Sequence, residues 1–158
     1  MQLSLKTCIG VLAALSSSAN GLVFRDRLTQ DFEGRTVNLV HGIQEDADVR
    51  FDINAYDQRY NAWEFNTEGH PDTDAVIRPI NSPATLVCKE GSICRLDLDG
   101  AEEQVYRVER ISGIVFSFQD TASSLYVSRA WDLRLELTPE LTEAGHFTLH
   151  HISDSEEL

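Results

Sequence analysis

The stretch Asn61-Ala62-Trp63-Glu64-Phe65 decides the fold, because two later segments repeat its pattern. Those segments are Gln104-Val105-Tyr106-Arg107-Val108 and Gly145-His146-Phe147-Thr148-Leu149. In each, an aromatic residue opens an alternating run, and Trp63, Tyr106 and Phe147 are separated by 43 and 41 residues. A near-constant period is typical of repeat architectures, and alternation with period two is typical of half-buried strands. The sequence therefore predicts one closed all-β domain of three units, each with an aromatic side chain inside.

Short strands separated by turn residues are predicted for the rest of the chain. Residues 49–53 alternate strictly, residues 133–137 (Leu-Arg-Leu-Glu-Leu) do the same, and Asp99-Gly100 is a strong tight-turn pair. Helix is expected only as a short piece at 139–144. The predicted organisation is a domain over residues 22–152 and an acidic tail over 153–158. Its three four-stranded units fall roughly at 22–70, 71–112 and 113–152.

Residues 1–21 have the pattern of a secretory signal peptide. Lys6 provides a positive charge, an apolar run of eight residues follows, and small or polar residues precede residue 22. The apolar run is too short to span a bilayer, which takes about 20 residues. The alternative is an N-terminal helix or strand buried in the domain. We expect a cleaved signal and a secreted, extracellular protein.

Cys88 and Cys94 are predicted to form a disulfide. Cys8 would leave with the signal peptide, so an even number of cysteines would enter an oxidising compartment. The five residues between Cys88 and Cys94 can turn the chain back so that the sulfur atoms meet. The alternative, a zinc site, lacks a second pair of ligands.

The charge balance excludes two classes of partner. The formal net charge is −13 and the isoelectric point is near 4.6. A field of that sign repels phosphate backbones and anionic lipid surfaces, so we expect neither nucleic acid nor a membrane as partner.

Three segments of the first unit suggest a family. They are Thr36-Val37-Asn38-Leu39 with Gly42, then Arg50-Phe51, then Tyr60-Asn61-Ala62-Trp63-Glu64-Phe65. Together they resemble a repeat of the ricin-B-type β-trefoil, notably those of secreted fungal lectins. In that family each repeat closes on Gln-x-Trp, which is similar here to Asn61-Ala62-Trp63, Gln104-Val105-Tyr106 and Gly145-His146-Phe147. The resemblance covers residues 22–152 and implies a β-trefoil of three four-stranded repeats with pseudo-threefold symmetry.

The resemblance also implies a carbohydrate site in the first repeat. In the family, a polar side chain on the second strand and others at the Gln-x-Trp bind hydroxyl groups, while an aromatic ring stacks on the sugar. Carried over to this chain, Asn38, Tyr60 and Asn61 fall at or near the polar positions, and Phe51 or Tyr56 could be the platform. Simpler interpretations stay open: Trp63, Tyr106 and Phe147 as core residues, Asn38 as a partner of backbone groups, and the two tyrosines as contacts for a protein.

Other chemistry has little support in the sequence. His146 and His150 would share one face of a strand and His151 the other, so a three-histidine metal site is not expected. No nucleophile elbow, metalloprotease helix or phosphate-binding loop is present. We therefore expect no cofactor, no metal and no enzymatic activity. The expected function is lectin-like binding of a glycan, and the alternative is a protein-binding trefoil such as a secreted protease inhibitor or host-directed effector.

Overall fold

The computed structural model describes residues 22–153. The predicted signal segment 1–21 and tail residues 154–158 lie outside the described residues. The described chain forms twelve strands, one short α-helix and one 3-10 helix. The elements are β1 (Val23–Phe32), β2 (Arg35–His41), β3 (Val49–Asp52), α1 (Gln58–Asn61), β4 (Ala62–Asn66), β5 (Asp74–Pro79), β6 (Thr85–Val87), β7 (Arg95–Asp97), β8 (Val105–Ser112), β9 (Val115–Asp120), β10 (Tyr126–Arg129), β11 (Leu135–Thr138), the 3-10 helix (Glu143–Gly145) and β12 (Phe147–His151).

Six of the strands close into a barrel. β1 pairs with β4, β4 with β5, β5 with β8, β8 with β9, β9 with β12, and β12 again with β1, all antiparallel. Closure leaves no free edge in this ring, which removes a site of edge-to-edge aggregation. The other six strands form the hairpins β2–β3, β6–β7 and β10–β11. A six-stranded barrel with three hairpins is the β-trefoil, so the predicted fold is confirmed.

The three aromatic residues of the sequence repeat occupy equivalent positions. In the register of the barrel, Trp63 lies opposite Asp26, Tyr106 opposite Ala75, and Phe147 opposite Phe116. All three rings are fully buried. The core therefore depends on one ring from the last strand of each repeat, as the period predicts.

In the first two repeats that ring also ties the barrel to a hairpin. The Trp63 Nε1–H donates to the carbonyl oxygen of Leu39 in β2 at 3.0 Å, and the Tyr106 hydroxyl donates to that of Leu86 in β6 at 2.9 Å. The two carbonyls are equivalent positions of the second strand. A buried polar tip needs such a partner, so each ring has a packing role and a tethering role.

The hairpins also contact one another. The Phe51 N–H donates to the carbonyl oxygen of Leu133 at 2.7 Å, and the Leu96 N–H donates to that of Ala47 at 3.1 Å, which is the equivalent contact one repeat further on. The predicted disulfide between Cys88 and Cys94 closes the β6–β7 hairpin. No helix among residues 22–153 is long and apolar enough to cross a membrane.

Two details differ from the sequence prediction. The strand expected from Leu133 begins only at Leu135, because Leu133 has left-handed backbone with φ of 71° and belongs to the preceding turn. Asn61 ends helix α1 instead of opening the strand, which starts at Ala62. The short helical piece expected at 139–144 is the 3-10 helix Glu143–Gly145.

Candidate functional site

The candidate site of the first repeat is built around Asp52, the last residue of β3. Strand alternation buries Val49 and Phe51 and turns Asp52 to the other face, where it is half-buried and lies opposite Asn38 of β2. Its Oδ1 accepts the Asn54 N–H at 2.8 Å, and its Oδ2 accepts the Tyr56 hydroxyl at 3.4 Å. A carboxylate, an amide side chain and a phenol thus surround one surface position. Such groups supply the acceptors and donors that a hydroxyl-rich ligand needs.

Helix α1 fixes the second wall of the site. Its N-cap residue Asp57 accepts the Arg59 N–H at 3.0 Å, and the Arg59 Nη2 lies 2.6 Å from Asp57 Oδ2. The hydrogen bond from the Arg59 side chain lowers the pKa of Asp57, and the same bond raises the pKa of Arg59. Arg59 also lies over the ring of Tyr60, 5.6 Å from its centre. The Asp57 cap and the Arg59–Tyr60 contact therefore link the residues of the turn that presents the tyrosines.

The two tyrosines lie side by side. Their rings meet edge to face, with centres 6.1 Å apart, and both are half-buried. The side chain of Asn61 is buried, and its Nδ2 donates to the Tyr56 carbonyl oxygen. Asn61 Oδ1 is buried and has no hydrogen-bond partner in the described part of the chain. Asn61 therefore holds the tyrosine loop in place, which is a positioning role.

The structure brings together four of the five predicted site residues and excludes Phe51. Asn38, Tyr56, Tyr60 and Asn61 are linked through Asp52 or through each other, although Asn38 is only 7% exposed. Phe51 is 1% exposed and stacks on Phe147 with ring centres 6.0 Å apart. A ring in the core cannot meet a ligand, so the prediction of Phe51 as a platform is wrong. The alternation that places Trp63 inside also places Phe51 inside.

The second repeat carries a shallow, open depression of about 370 Å³ between the end of β6, the start of β8 and the end of β9. Gln104 lies on its border and is engaged: its Oε1 accepts the Cys88 N–H and its Nε2 donates to the Cys88 carbonyl oxygen, both at 2.7 Å. Burial acts to raise the pKa of Asp120, but hydrogen bonds from Ser123 and Gln104 outweigh it and hold that pKa below its ordinary value. These polar groups bond to each other, so the depression offers fewer free partners than the first repeat.

Two residues of interest were not among the sequence predictions. Asp52 belongs to a strictly alternating strand, and its position opposite Asn38 could have been obtained by pairing residues 36–40 with 49–53. Trp131 lies in the turn between β10 and β11 and is 94% exposed. In the sequence, the exposure of Trp131 is indicated only by its position beside Asp132 and outside any alternating run.

The histidines near the C-terminus do not form a metal centre. His150 bonds to the Thr29 hydroxyl through Nε2 at 2.9 Å, and its pKa is lowered by burial and by the nearby Arg27. Residues 22–153 contain no group of three or more histidine, cysteine, aspartate or glutamate side chains that could hold a metal ion.

Solved structures are similar to this chain, whereas sequence comparisons found nothing: no family model matches, and no curated protein does. SeviL bound to the asialo-GM1 saccharide matches with a TM-score of 0.63 at 13% identity, over 80% of this chain and 96% of that one. The designed threefold-symmetric protein ThreeFoil matches with a TM-score of 0.64 at 10% identity, over 81% and 99%. A proteinase inhibitor from Coprinopsis cinerea matches with a TM-score of 0.59 at 16% identity, over 82% and 98%. At these identities the similarity shows the fold, and the chain is a β-trefoil.

Proposed function

We propose that this protein is a secreted, non-enzymatic carbohydrate-binding protein, lectin-like and of the fungal ricin-B type, with its site in the first repeat. One observation carries the proposal: Asp52, Tyr56 and Tyr60 come together at one surface, with the buried Asn38 opposite Asp52 in the register of β2 and β3, and the Tyr56–Asp52 hydrogen bond joins two of them. Asp52 and the tyrosine hydroxyls bind sugar hydroxyl groups, and charge strengthens the bonds that Asp52 accepts. SeviL, one of the similar structures, holds a saccharide.

A printed glycan array tests the proposal. The wild-type protein is expected to retain a defined set of glycans, and the Tyr56→Ala and Asp52→Asn variants are expected to lose them. Tyr126→Ala is the matched control, because Tyr126 is a half-buried tyrosine on the hairpin of the third repeat. Absence of any retained glycan at high protein concentration, or equal retention by all four proteins, contradicts the proposal.

The protein-binding trefoil is the second candidate, and the turn at α1 favours it. Tyr56, Arg59 and Tyr60 are residue types enriched in protein interfaces, and the Asp57–Arg59 bonds lie in the turn that carries all three. A trefoil of similar structure is a proteinase inhibitor. Inhibition of a serine, cysteine or aspartic proteinase that Tyr60→Ala abolishes would favour this candidate. No inhibition across such a panel would remove its inhibitor form.

Secretion is part of the proposal. The Cys88–Cys94 disulfide is what an oxidising compartment produces. Expression of residues 1–158 in a secreting host, followed by mass determination, is expected to yield an extracellular chain without residues 1–19 or 1–21 and with both remaining cysteines oxidised. Retention of the full chain inside the cell would contradict it.

A further inference from the structure

The tip of the β10–β11 hairpin, residues 130–134, carries the most exposed large apolar side chain of the described chain. The Trp131 indole is 94% exposed, although tryptophan is the largest of the apolar residues and is usually covered. Its backbone is not loose. The Leu133 N–H donates to the Ala130 carbonyl oxygen at 3.0 Å, and the Ala130 N–H donates to that of Arg134 at 2.7 Å. The tip therefore presents a flat apolar ring on a fixed backbone.

The tip stores conformational strain at Leu133. A three-residue hairpin loop ends in a left-handed residue, which is usually glycine, and here a leucine takes that conformation with φ of 71°. The Leu133 side chain packs against the core, and its carbonyl oxygen accepts the Phe51 N–H at 2.7 Å. Strained backbone that persists because its surroundings hold it is concentrated at functional sites. Here the hydrogen bond from Phe51 and the packing of Leu133 hold the tip of the third repeat on strand β3 of the first.

That junction places the tip beside the candidate site. Arg134 pairs with Arg50 across it, and Phe51 directly precedes Asp52. Following the chain from Trp131 to Leu133, across the pair and on to Asp52, the two Cα atoms can be no more than roughly 17 Å apart. Phe51 of the first repeat is buried in the core and cannot serve as a platform, whereas the Trp131 ring of the third repeat is exposed.

We propose that Trp131 is the aromatic platform of a second sugar subsite, so that the ligand is an oligosaccharide held across the first and third repeats. This inference rests on the proposed function. One sugar residue bonds to Asp52, Tyr56 and Tyr60, and the next packs its C–H face on the indole. A hydroxyl-rich ligand with apolar ring faces matches both halves of the surface, and the hydrogen-bonded backbone of the tip reduces the ordering that binding requires.

The charges around the surface define the oligosaccharide as neutral. Three arginines border it, and each lies close to the aspartate two residues before it, through a hydrogen bond for Arg50 and Arg59 and through a longer contact for Arg134. Arg50 Nε lies 2.9 Å from Asp48, Arg59 Nη2 lies 2.6 Å from Asp57, and Arg134 Nε lies 3.6 Å from Asp132. With these cations neutralised and Asp52 at the centre, a sialylated, uronic or sulfated sugar would be repelled.

Tryptophan fluorescence tests the subsite directly, because the chain has two tryptophans and Trp63 is fully buried. Acrylamide in the wild-type protein therefore quenches Trp131 selectively. The probes are the mono-, di- and trisaccharides of galactose, N-acetylglucosamine and mannose. For one of the three sugars, we expect the di- or trisaccharide to protect Trp131 from quenching. The monosaccharide of the same sugar should bind without protecting Trp131. Trp131→Ala should then weaken the longer sugar about ten-fold and leave the monosaccharide affinity within about two-fold of wild type.

The control variants separate the possible outcomes. Leu98→Ala removes an exposed apolar side chain of the second repeat and should change nothing, whereas Tyr56→Ala should weaken all lengths. Suppose that Tyr56→Ala abolishes glycan binding while Trp131→Ala has the wild-type affinity for sugars of every length. This result overturns the subsite and leaves the proposed function standing. A preference for sialylated over neutral glycans overturns it too, as does a Trp131→Ala effect confined to self-association or to a protein partner. No glycan binding at all defeats the proposed function and this inference together.

Discussion

The carboxyl group of Asp26 should make folding stability depend on pH in an unusual direction. Asp26 occupies the core position that is Ala75 in the second repeat and Phe116 in the third. It is 0% exposed, and neither of its oxygens has a hydrogen-bond partner in the described part of the chain. Opposite it lie Trp63 on β4 and His151 on β12, whose Nδ1 is also buried without a partner. Burial raises the pKa of Asp26 to about 7.

The sign and size of the effect follow from linkage. In the unfolded chain the Asp26 pKa is near 3.8, so between that value and about 7 the folded state binds one proton more than the unfolded state. The free energy of unfolding therefore falls as pH rises through this window and levels off above it. A folded-state pKa of about 7 corresponds to about 4 kcal/mol lost across the window, as an order-of-magnitude figure.

Asp26→Asn isolates this contribution, because asparagine is similar in shape and stays neutral. Urea unfolding of wild type and variant, followed by fluorescence at pH 4 to 9, gives the difference in unfolding free energy at each pH. His41 and His150 have pKa values lowered mainly by burial, and they make stability rise with pH in both proteins, so they cancel in the difference. We expect the unfolding free energy of the variant to rise by about 4 kcal/mol relative to that of wild type between pH 4 and pH 8.

Asp99→Asn, which removes a carboxylate from an exposed turn, is the control for the loss of one negative charge. A difference for Asp26→Asn that is flat, that falls with pH, or that equals the difference for the control would refute the reasoning. It would mean that Asp26 is ionised in the folded protein and is stabilised by a partner such as His151.

Three further predictions concern stability and can be checked by urea or thermal unfolding. Tyr106→Phe leaves a buried carbonyl oxygen of β6 without its donor and should cost about 1–3 kcal/mol, whereas an unchanged midpoint would show that the tether is not needed. Gly100→Ala should lower the free energy of unfolding by more than about 2 kcal/mol, because the new Cβ would lie 2.1 Å from a backbone oxygen. Gly113 has a similar φ but open space around it, so Gly113→Ala should lower the free energy of unfolding by only about 1 kcal/mol. Equal losses for the two variants would show that the clash at Gly100 does not occur. The Cys88→Ser/Cys94→Ser double variant should lose about 2 kcal/mol, since the closed loop is short, and a loss above 5 kcal/mol would show that the disulfide has a larger role.

Much of the fold could be predicted because it depends on patterns within single segments. The period of Trp63, Tyr106 and Phe147 and the alternation around them need no knowledge of distant residues. The Cys88–Cys94 pair is equally local. The strand start at Leu133 was wrong for a physical reason: leucine is a poor residue for left-handed backbone, and only its packing on the core and its bond to Phe51 in another repeat keep it there.

The candidate site was harder to predict because it combines distant segments. Asn38 and Asp52 meet only through strand pairing, and Trp131 approaches them only through contacts between hairpins. Phe51 shows a different error, because following the family resemblance placed it at the surface while the alternation of its own strand placed it in the core. The burial of Asp26 could not be predicted from the sequence, because strand patterning places apolar residues, not aspartate, at inward positions.

The hydrogen bonds that join Trp63 and Tyr106 to their hairpins have no counterpart at Phe147 in the third repeat. Phe147 occupies the third such position, and its ring has no atom that can donate a hydrogen bond. The hairpin of the third repeat therefore lacks this hydrogen bond to the last strand of its own repeat, although β10 pairs with the barrel strand β9. The three repeats therefore share one packing position in the core but differ in whether its aromatic residue also bonds to the neighbouring hairpin.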